Sequence, residues 1–395
     1  MPFSSFAVVQ VSVQLRLSIR RCGFRSNPFQ DVRAIIMTTD HRVIATAADA
    51  ILAKAATVRA GYYKDPFLEP LAVQAVGIST SGRDRKQFQP IIKKGTHARV
   101  CCIDRAIEGY LNLPHEKPPQ VVVLGAGKDT SFYRHASKAP QGGGSSSSTK
   151  SQKADWFEVD FPLVMAQKAA ILQSQVYKSK VEEKKEGQQM WRISNKWAPH
   201  WSSHLIGFDL RESPELLLQK LQECGFEGAS RPVLFVVECV HMYLPKATVS
   251  RLWRFVAQTC PSNTHIVLYD TIVGRDRFGT VMEQHLRRAQ VATEESCLVQ
   301  TRSLDDHLAL FTKEAGFCHA VGCNMWSAYQ TILTNEQRMT ANRAEILDEM
   351  EEWMMIMQHY CFVVARTKES SPVLCEVGGS SCLGFQKHQC REASG

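Results

Sequence analysis

"VVVLGAGKDTSFYRHA", residues 121–136, is the stretch that decides the fold. Four apolar residues, Val121 to Leu124, run straight into Gly125-Ala126-Gly127, and "DTSFYRHA" can start a helix. A buried strand, a glycine turn and a helix open an α/β unit, and ligands of such sheets gather beyond the carboxyl ends of the strands. A dinucleotide fingerprint needs a third glycine where Thr130 stands. A phosphate-binding loop needs Gly-Lys-Ser/Thr, and Gly127-Lys128-Asp129 does not supply it. The turn brings backbone close to a ligand with its phosphate apparatus incomplete.

Outward from this stretch, strands and helices alternate. "WFEVDFP" (156–162), "HLIGFDLRE" (204–212), "RPVLFVVECV" (231–240) and "THIVLYDTI" (264–272) read as strands, and "CHAVGCNM" (318–325) and "HYCFVVART" (359–367) complete a set of seven. Between them "LVMAQKAAILQSQVY" (163–177) reads as a helix and "SPELLLQKLQECG" (213–225) as another, with Ser213 as N-cap and Gly225 at its end. "TNEQRMTANRAEILDEMEEWMMIMQ" (334–358) reads as one long helix, and "KSKVEEKKEGQQ" (178–189) as a solvated helix end or loop. The pattern predicts an α/β, doubly wound, mainly parallel seven-stranded sheet spanning 118–368. Before it, 37–117 hold Ala-rich and apolar helical stretches that form an N-terminal helical cap. The Gly/Ser-rich stretch 138–154 reads as a flexible loop, and 369–395 as a disordered tail.

The strand ends carry the chemistry. After the glycine turn, the second strand ends at Asp160, the third at Asp209 and the fourth at Glu238. One such acid is commonly a helix N-cap. Three in succession on one sheet edge point to a ligand with hydroxyls, amine donors and positive charge. S-adenosylmethionine fits: ribose hydroxyls for Asp160, an adenine amine for Asp209, an ammonium and a sulfonium, and no phosphate.

Composition narrows the alternatives. The chain has 395 residues, 44% hydrophobic and 22% charged, which suits a globular protein. No stretch approaches the roughly 20 apolar residues of a membrane-crossing helix. Thirteen cysteines without any C-x-x-C pair point to reduced thiols in an intracellular, cytoplasmic setting. The net charge of +8 is half explained by residues 1–36, where Arg16, Arg20, Arg21, Arg25 and Arg33 face only Asp31. The rest shows no basic stripe with interleaved aromatics, which argues against nucleic acid. Residues 1–36 read either as a mitochondrial transit peptide or, preferred here, as an extension preceding a true start at Met37.

The words "LGAGKDTSFYR", "FEVDFP", "GFDLRE", "VVECVHMYLP", "GRDRFGTVM" and "ILDEMEEWMMIMQHYCFVVA", with "AKAATVRAGYYKDPF" and "KKGTHARV" upstream, together resemble the leucine carboxyl methyltransferase family over about residues 46–367. The resemblance implies a class I S-adenosylmethionine-dependent methyltransferase fold with substrate-side insertions. It implies methylation of the C-terminal leucine carboxylate of type 2A protein phosphatase catalytic subunits, with docking to the folded phosphatase as well as its tail. It implies cofactor contacts from Lys54, Arg99, Gly125, Gly127, Asp160, Asp209, Leu210 and Glu238. The Gly/Ser loop and the stretch around "KWAPHWSSH" (196–204) depart from the family's usual connections.

An acceptor carboxylate needs an arginine that forks onto both oxygens. Arg99 and Arg277 are the candidates, with the Tyr243 hydroxyl as a further donor; a surface ion pair and a packed aromatic are the plain alternatives for Arg277 and Tyr243. No general base and no metal is expected. His200 and His204 stand at helical i, i+4 spacing without a third ligand, so a surface role is expected, and Cys239 reads as part of a buried strand rather than a nucleophile. A tRNA-modifying relative of the wybutosine type would carry a long C-terminal repeat region, whereas this chain stops soon after its last strand. A non-catalytic binding protein would not need all three acids. A monomer is expected.

Overall fold

The computed structural model describes residues 39–76, 88–138 and 153–368, apart from 175, 176, 178, 185, 186, 196, 197, 199 and 262, together with the strand Gln386–Gln389. The basic segment 1–36, nearly all of the Gly/Ser loop 138–154 and most of the tail 369–395 lie outside the described residues.

Three helices precede the first strand: α1 (Thr39–Arg59), α2 (Leu68–Val76) and α3 (Pro90–Leu111). Then follow β1 (Gln120–Leu124), α4 (Ser131–Lys138), β2 (Ala154–Asp160), α5 (Pro162–Leu172), β3 (Lys180–Glu183), β4 (Met190–Ser194), β5 (Trp201–Gly207), α6 (Pro214–Glu223), β6 (Val233–Glu238), α7 (Lys246–Thr259), β7 (Thr264–Thr271), α8 (Arg277–Arg288), α9 (Cys297–Gln300), α10 (Leu304–Ala309), β8 (His319–Asn324), α11 (Met325–Thr331), α12 (Asn335–Ala344), α13 (Met350–Gln358), β9 (Tyr360–Arg366) and β10 (Gln386–Gln389).

One sheet joins all ten strands in the order β10-β8-β9-β7-β6-β1-β2-β5-β4-β3. β1 pairs in parallel with β2 and β6, β2 with β5, and β6 with β7. The pairs β7–β9, β8–β9, β8–β10, β4–β5 and β3–β4 are antiparallel. The expected seven-stranded, mainly parallel sheet is therefore corrected to a ten-stranded mixed one, whose parallel part is the central run β5-β2-β1-β6-β7. Two of the extra strands form the hairpin β3–β4; β3 lies in the region 178–189 read as solvated loop or helix end, and β4 directly follows it. β3 is "KVEE", exposed along most of its length at the sheet edge. Such a strand lacks the apolar alternation by which strands are recognised. The third, β10, lies inside the expected disordered tail, so that expectation does not extend to Gln386–Gln389.

The central strands are buried on both faces, and alternate side chains enter two separate cores. Val121, Val123, Trp156, Leu205, Leu234, Val236 and Val267 pack with Ile51, Ile103, Ile107, Phe132 and Trp353 from the helical elements. Val122, Leu124, Phe157, Phe235, Val237, Ile266 and Leu268 pack with Leu217, Leu221, Trp253, Val256 and Phe311 on the other face. This period-2 division is what makes the fold doubly wound.

Helix ends follow local chemistry. The Ser213 hydroxyl accepts the Leu216 N–H at the start of α6, and Thr334 with Gln337 forms a capping box at the start of α12. The single long helix expected over 334–358 is two, α12 and α13. Glu345 leaves α12 in an extended conformation, φ −154° and ψ 143°. Its carboxylate pairs with Lys93 on α3 and accepts the Tyr62 hydroxyl at 3.1 Å, so tertiary pairing overrides the helical pattern.

Candidate active site

One pocket opens at the carboxyl ends of β1, β2, β5 and β6, roofed by one face of α1 from Asp40 to Lys54. Lys54, Arg99, Gly125, Gly127, Asp160, Asp209, Leu210, Glu238 and Tyr243 all line it. The residues drawn from distant parts of the sequence are thus brought together, with the exception of Arg277.

The floor is a chain of paired charges. Glu238, at the last position of β6, lies between two buried cations: Lys54 Nζ is 2.9 Å from Oε2, and Arg99 Nε is 3.0 Å from Oε1. Lys54 also donates to Asp129 Oδ1 at 3.0 Å. Behind Asp129, the Arg134 guanidinium donates to Asp104 at 2.7 and 3.1 Å and to Asp65 at 3.1 Å. The Thr130 hydroxyl donates to the same Asp65 oxygen at 2.5 Å. Burial works against the Lys54 charge, yet Asp129 and Glu238 raise its pKa above the usual lysine range. Burial likewise opposes ionisation of Asp129, but Lys54 and Arg134 hold it well below the usual carboxylate range. Arg99, also opposed by burial, is held protonated by Glu238 and lies 5.4 Å from the centre of the Tyr269 ring.

The glycine turn has its own logic. Gly125 has φ +66°, and a Cβ there would lie 2.3 Å from Val240 Cγ2, so only glycine fits. Asp160 ties the turn to the next strand: Oδ2 accepts the Gly127 N–H at 2.7 Å and Oδ1 the Phe161 N–H at 2.6 Å. Burial raises the pKa of this carboxyl, partly offset by those two N–H groups. At the start of α4, where a phosphate-binding fold would place the phosphate, Asp129 Oδ2 accepts the Ser131 N–H at 3.0 Å. The helix N-terminus is thus filled by the protein's own carboxylate, and Asp160, at the end of β2, accepts from the glycine turn that precedes it. A phosphate would be repelled; hydroxyls, an amine and cationic groups would be welcomed. The four acids Asp129, Asp160, Asp209 and Glu238, with Arg99 and Lys54 for a carboxylate, therefore suit S-adenosylmethionine, and the apolar Phe161, Phe208 and Leu210 supply surface for an adenine.

Tyr243 ends a short 3-10 turn, His241–Tyr243, and lines the pocket half-buried. Burial raises its pKa, so it remains a neutral hydroxyl donor. Arg277 is not brought to this pocket: it is the first residue of α8 and is exposed. Asp276 caps that helix by accepting the Gly279 N–H at 2.7 Å and pairs with His359 at 3.0 Å. Cys239 is corrected. It follows β6 rather than lying within it, has φ +55°, and its half-buried side chain lines the pocket 4.0 Å from Arg99. Burial pushes its thiol up to about 12, which leaves it un-ionised. His204 is not a surface helical residue: it lies in β5, buried, stacked on Phe157 at 5.3 Å. Among the described residues no group of three His, Cys, Asp or Glu could hold a metal, and no helix is long and apolar enough to cross a membrane.

Several site residues were not singled out by sequence. Asp129 and Arg134 lie within the quoted stretch 121–136, but a local pattern cannot show that they meet Lys54, Asp65 and Asp104. Arg211, Phe161 and Tyr360 line the pocket from within the quoted words "GFDLRE", "FEVDFP" and "ILDEMEEWMMIMQHYCFVVA", where no role was assigned to them.

Residues 42–257 match the family model for leucine carboxyl methyltransferase. The chain is 30% identical over 337 residues to leucine carboxyl methyltransferase 1 of Caenorhabditis elegans, covering 85% of this chain and 94% of the relative. It is 28% identical over 346 residues to leucine carboxyl methyltransferase 1 of Rattus norvegicus, covering 86% and 94%. The leucine carboxyl methyltransferase 1 homolog of Arabidopsis thaliana is 26% identical over 328 residues, covering 82% and 88%.

Proposed function

The chain belongs to the leucine carboxyl methyltransferase family, and from that premise we propose that it esterifies the C-terminal leucine carboxylate of type 2A protein phosphatase catalytic subunits. Its cofactor is S-adenosylmethionine. The observation that carries the reading is the junction of Lys54, Arg99 and Glu238: two buried cations on the cap helices converge on the acid that ends β6.

When bound, the cofactor supplies a methyl group activated on a sulfonium, which an already ionised carboxylate accepts without a general base. The chain's task is then to position and to exclude water. Asp160 and Asp209 orient the cofactor at the strand ends. Arg99, fixed by Glu238 on one edge, offers a cation to a carboxylate in the pocket, and Tyr243 offers a neutral hydroxyl. The α1 roof covers both. Positioning of this kind supplies about 7–11 kcal/mol in favourable intramolecular cases. The reading takes the enzyme as a cytoplasmic monomer that engages both the phosphatase tail and its folded core.

The test is methyl transfer from labelled S-adenosylmethionine to the folded phosphatase catalytic subunit and to a leucine-ended peptide. The product is a methyl ester, so mild alkali releases labelled methanol, and amidating the terminal carboxylate abolishes labelling. Base-stable label on a lysine, a histidine or RNA would overturn the assignment.

A further inference from the structure

Arg211 has no part in the function described so far, yet it bonds to acids on two sides of the pocket mouth. It follows β5 by four residues and lines the pocket with Asp40, Phe161 and Asp209. Its Nε lies 2.9 and 3.0 Å from the two Asp209 oxygens, and Nη2 also donates to Asp209. Nη1 reaches across to Asp40 Oδ1, on the first turn of α1, at 2.6 Å. The guanidinium carbon lies 5.6 Å from the centre of the Phe161 ring. The backbone beneath it is pinned, because Arg251 on α7 donates to the carbonyls of Arg211 and Glu212 at 3.2 and 3.3 Å.

The roof that Arg211 grips is unevenly held. Ile51, Leu52, Ala53, Lys54 and Ala55 are all buried, and Lys54 is ion-paired twice, so the C-terminal half of α1 is fixed. None of residues 40–50 is fully buried. That half packs only the partly buried Val43 and Ile44 against the core and is tied down further by polar contacts, among them Asp40–Arg211 and Arg42 Nη1 to the Ala289 carbonyl at 3.1 Å. Arg211 therefore joins the less firmly held end of the roof to an acid at the strand ends.

We propose that Arg211 is a positioning residue that clasps the N-terminal end of α1 to Asp209 across the pocket mouth, orienting Asp209 and setting how fast S-adenosylmethionine leaves. The proposal rests on the cofactor reading above. The clasp is bipartite. Pairing with Asp209 orders that carboxylate, and pairing with Asp40 closes the roof. The pairs are partly exposed, so they are salt-sensitive and individually modest.

Dissociation of labelled S-adenosylmethionine from the full-length protein, followed after chase with excess unlabelled cofactor, tests this. Arg211→Ala is expected to raise the dissociation rate about three- to tenfold. Asp40→Asn, a change at an exposed helix end, is expected to raise it about two- to fivefold with an unchanged melting temperature. The double variant should dissociate no faster than Arg211→Ala alone, since both changes break one clasp. Arg211→Lys should restore part of the retention. The differences should shrink on going to about 0.5 M salt. Dissociation rates of Asp40→Asn equal to wild type would overturn the clasp, even if Arg211→Ala is fast, because Arg211 would then act through Asp209 alone. Failure of the wild-type protein to bind S-adenosylmethionine at all would instead overturn the cofactor reading, and the clasp with it.

Discussion

Replacing Glu238 by glutamine keeps the shape of the side chain and removes the charge on which two buried cations converge. Lys54 Nζ at 2.9 Å and Arg99 Nε at 3.0 Å both lose it. Removing one partner of a buried pair costs about 3–5 kcal/mol, because the other charge is left uncompensated. Two features reduce that here. Lys54 keeps Asp129 at 3.0 Å, and the Glu238 side chain is 18% exposed, so some water reaches the site. Arg99 has no second ion pair among the described residues, so its share persists. The expected net loss is about 2–3 kcal/mol, which lowers the melting temperature of a chain this large by about 2–4 °C. Affinity for S-adenosylmethionine should fall more than tenfold, since a charged hydrogen-bonding partner contributes about 1.5–3 kcal/mol. Thermal unfolding and isothermal titration on one preparation give both numbers. Adding Arg99→Met should recover part of the stability but none of the affinity, because it removes the stranded cation. A melting temperature within 1 °C of wild type in Glu238→Gln, with unchanged affinity, would refute the convergence as an energetic feature.

Further outcomes follow from other parts of the structure. Asp160→Ala should weaken cofactor binding more than tenfold by titration, since the carboxylate also organises the Gly127 and Phe161 N–H groups; equal affinity in a folded variant removes Asp160 from the site. Gly279→Ala should destabilise by about 1–3 kcal/mol or more in chemical denaturation, because its Cβ would stand 1.4 Å from the Val273 carbonyl oxygen; a neutral result would mean that α8 shifts freely. Burial lowers the His204 pKa to about 4 from its ordinary 6.5. The unfolded chain therefore binds the proton first, and the stability this neutral ring contributes is complete above about pH 6.5 and lost as pH falls toward 4. His204→Phe should flatten that part of the stability–pH profile, and an unchanged slope between pH 6.5 and 4 would show that other groups govern it. Asp129, held well below the ordinary carboxylate range, contributes stability present above about pH 4 and lost below it. The gap in melting temperature between wild type and Asp129→Asn should therefore narrow from pH 7 to pH 3; a constant gap would contradict its pairing.

The legible parts of the sequence were those where local pattern and tertiary environment agree. β1 is five buried residues in a row, and its glycine turn is forced by a positive φ and the proximity of Val240. Asp160, Asp209 and Glu238 are legible because strand ends converge in any such sheet. Lys54 and Arg99 came from family resemblance, since nothing in α1 or α3 taken alone distinguishes a pocket cation from a surface one. Arg277 misled because "GRDRF" places an arginine near strand ends in sequence, whereas the Asp276 cap and the His359 pair set α8 with that residue in solvent. The edge strand β3 was hidden by its charge, and the break between α12 and α13 by Glu345, whose partners Lys93 and Tyr62 are more than 250 residues away. Pairing over that distance has no local signature.

The charge of β3 also bears on colloidal behaviour. A strand at the rim of a sheet presents unpaired backbone groups on which another chain could build. Here one rim of a ten-stranded sheet is closed by four residues, with Lys180, Glu182 and Glu183 facing water and only Val181 partly covered. Docking a second strand would take these charged side chains, among them the exposed Lys180–Glu182 pair, out of water, so the rim discourages pairing with copies of itself. Sequence drift in this hairpin is therefore constrained in polarity rather than in shape. Enrichment of this strand in valine, isoleucine or threonine would convert a protective margin into an adhesive one.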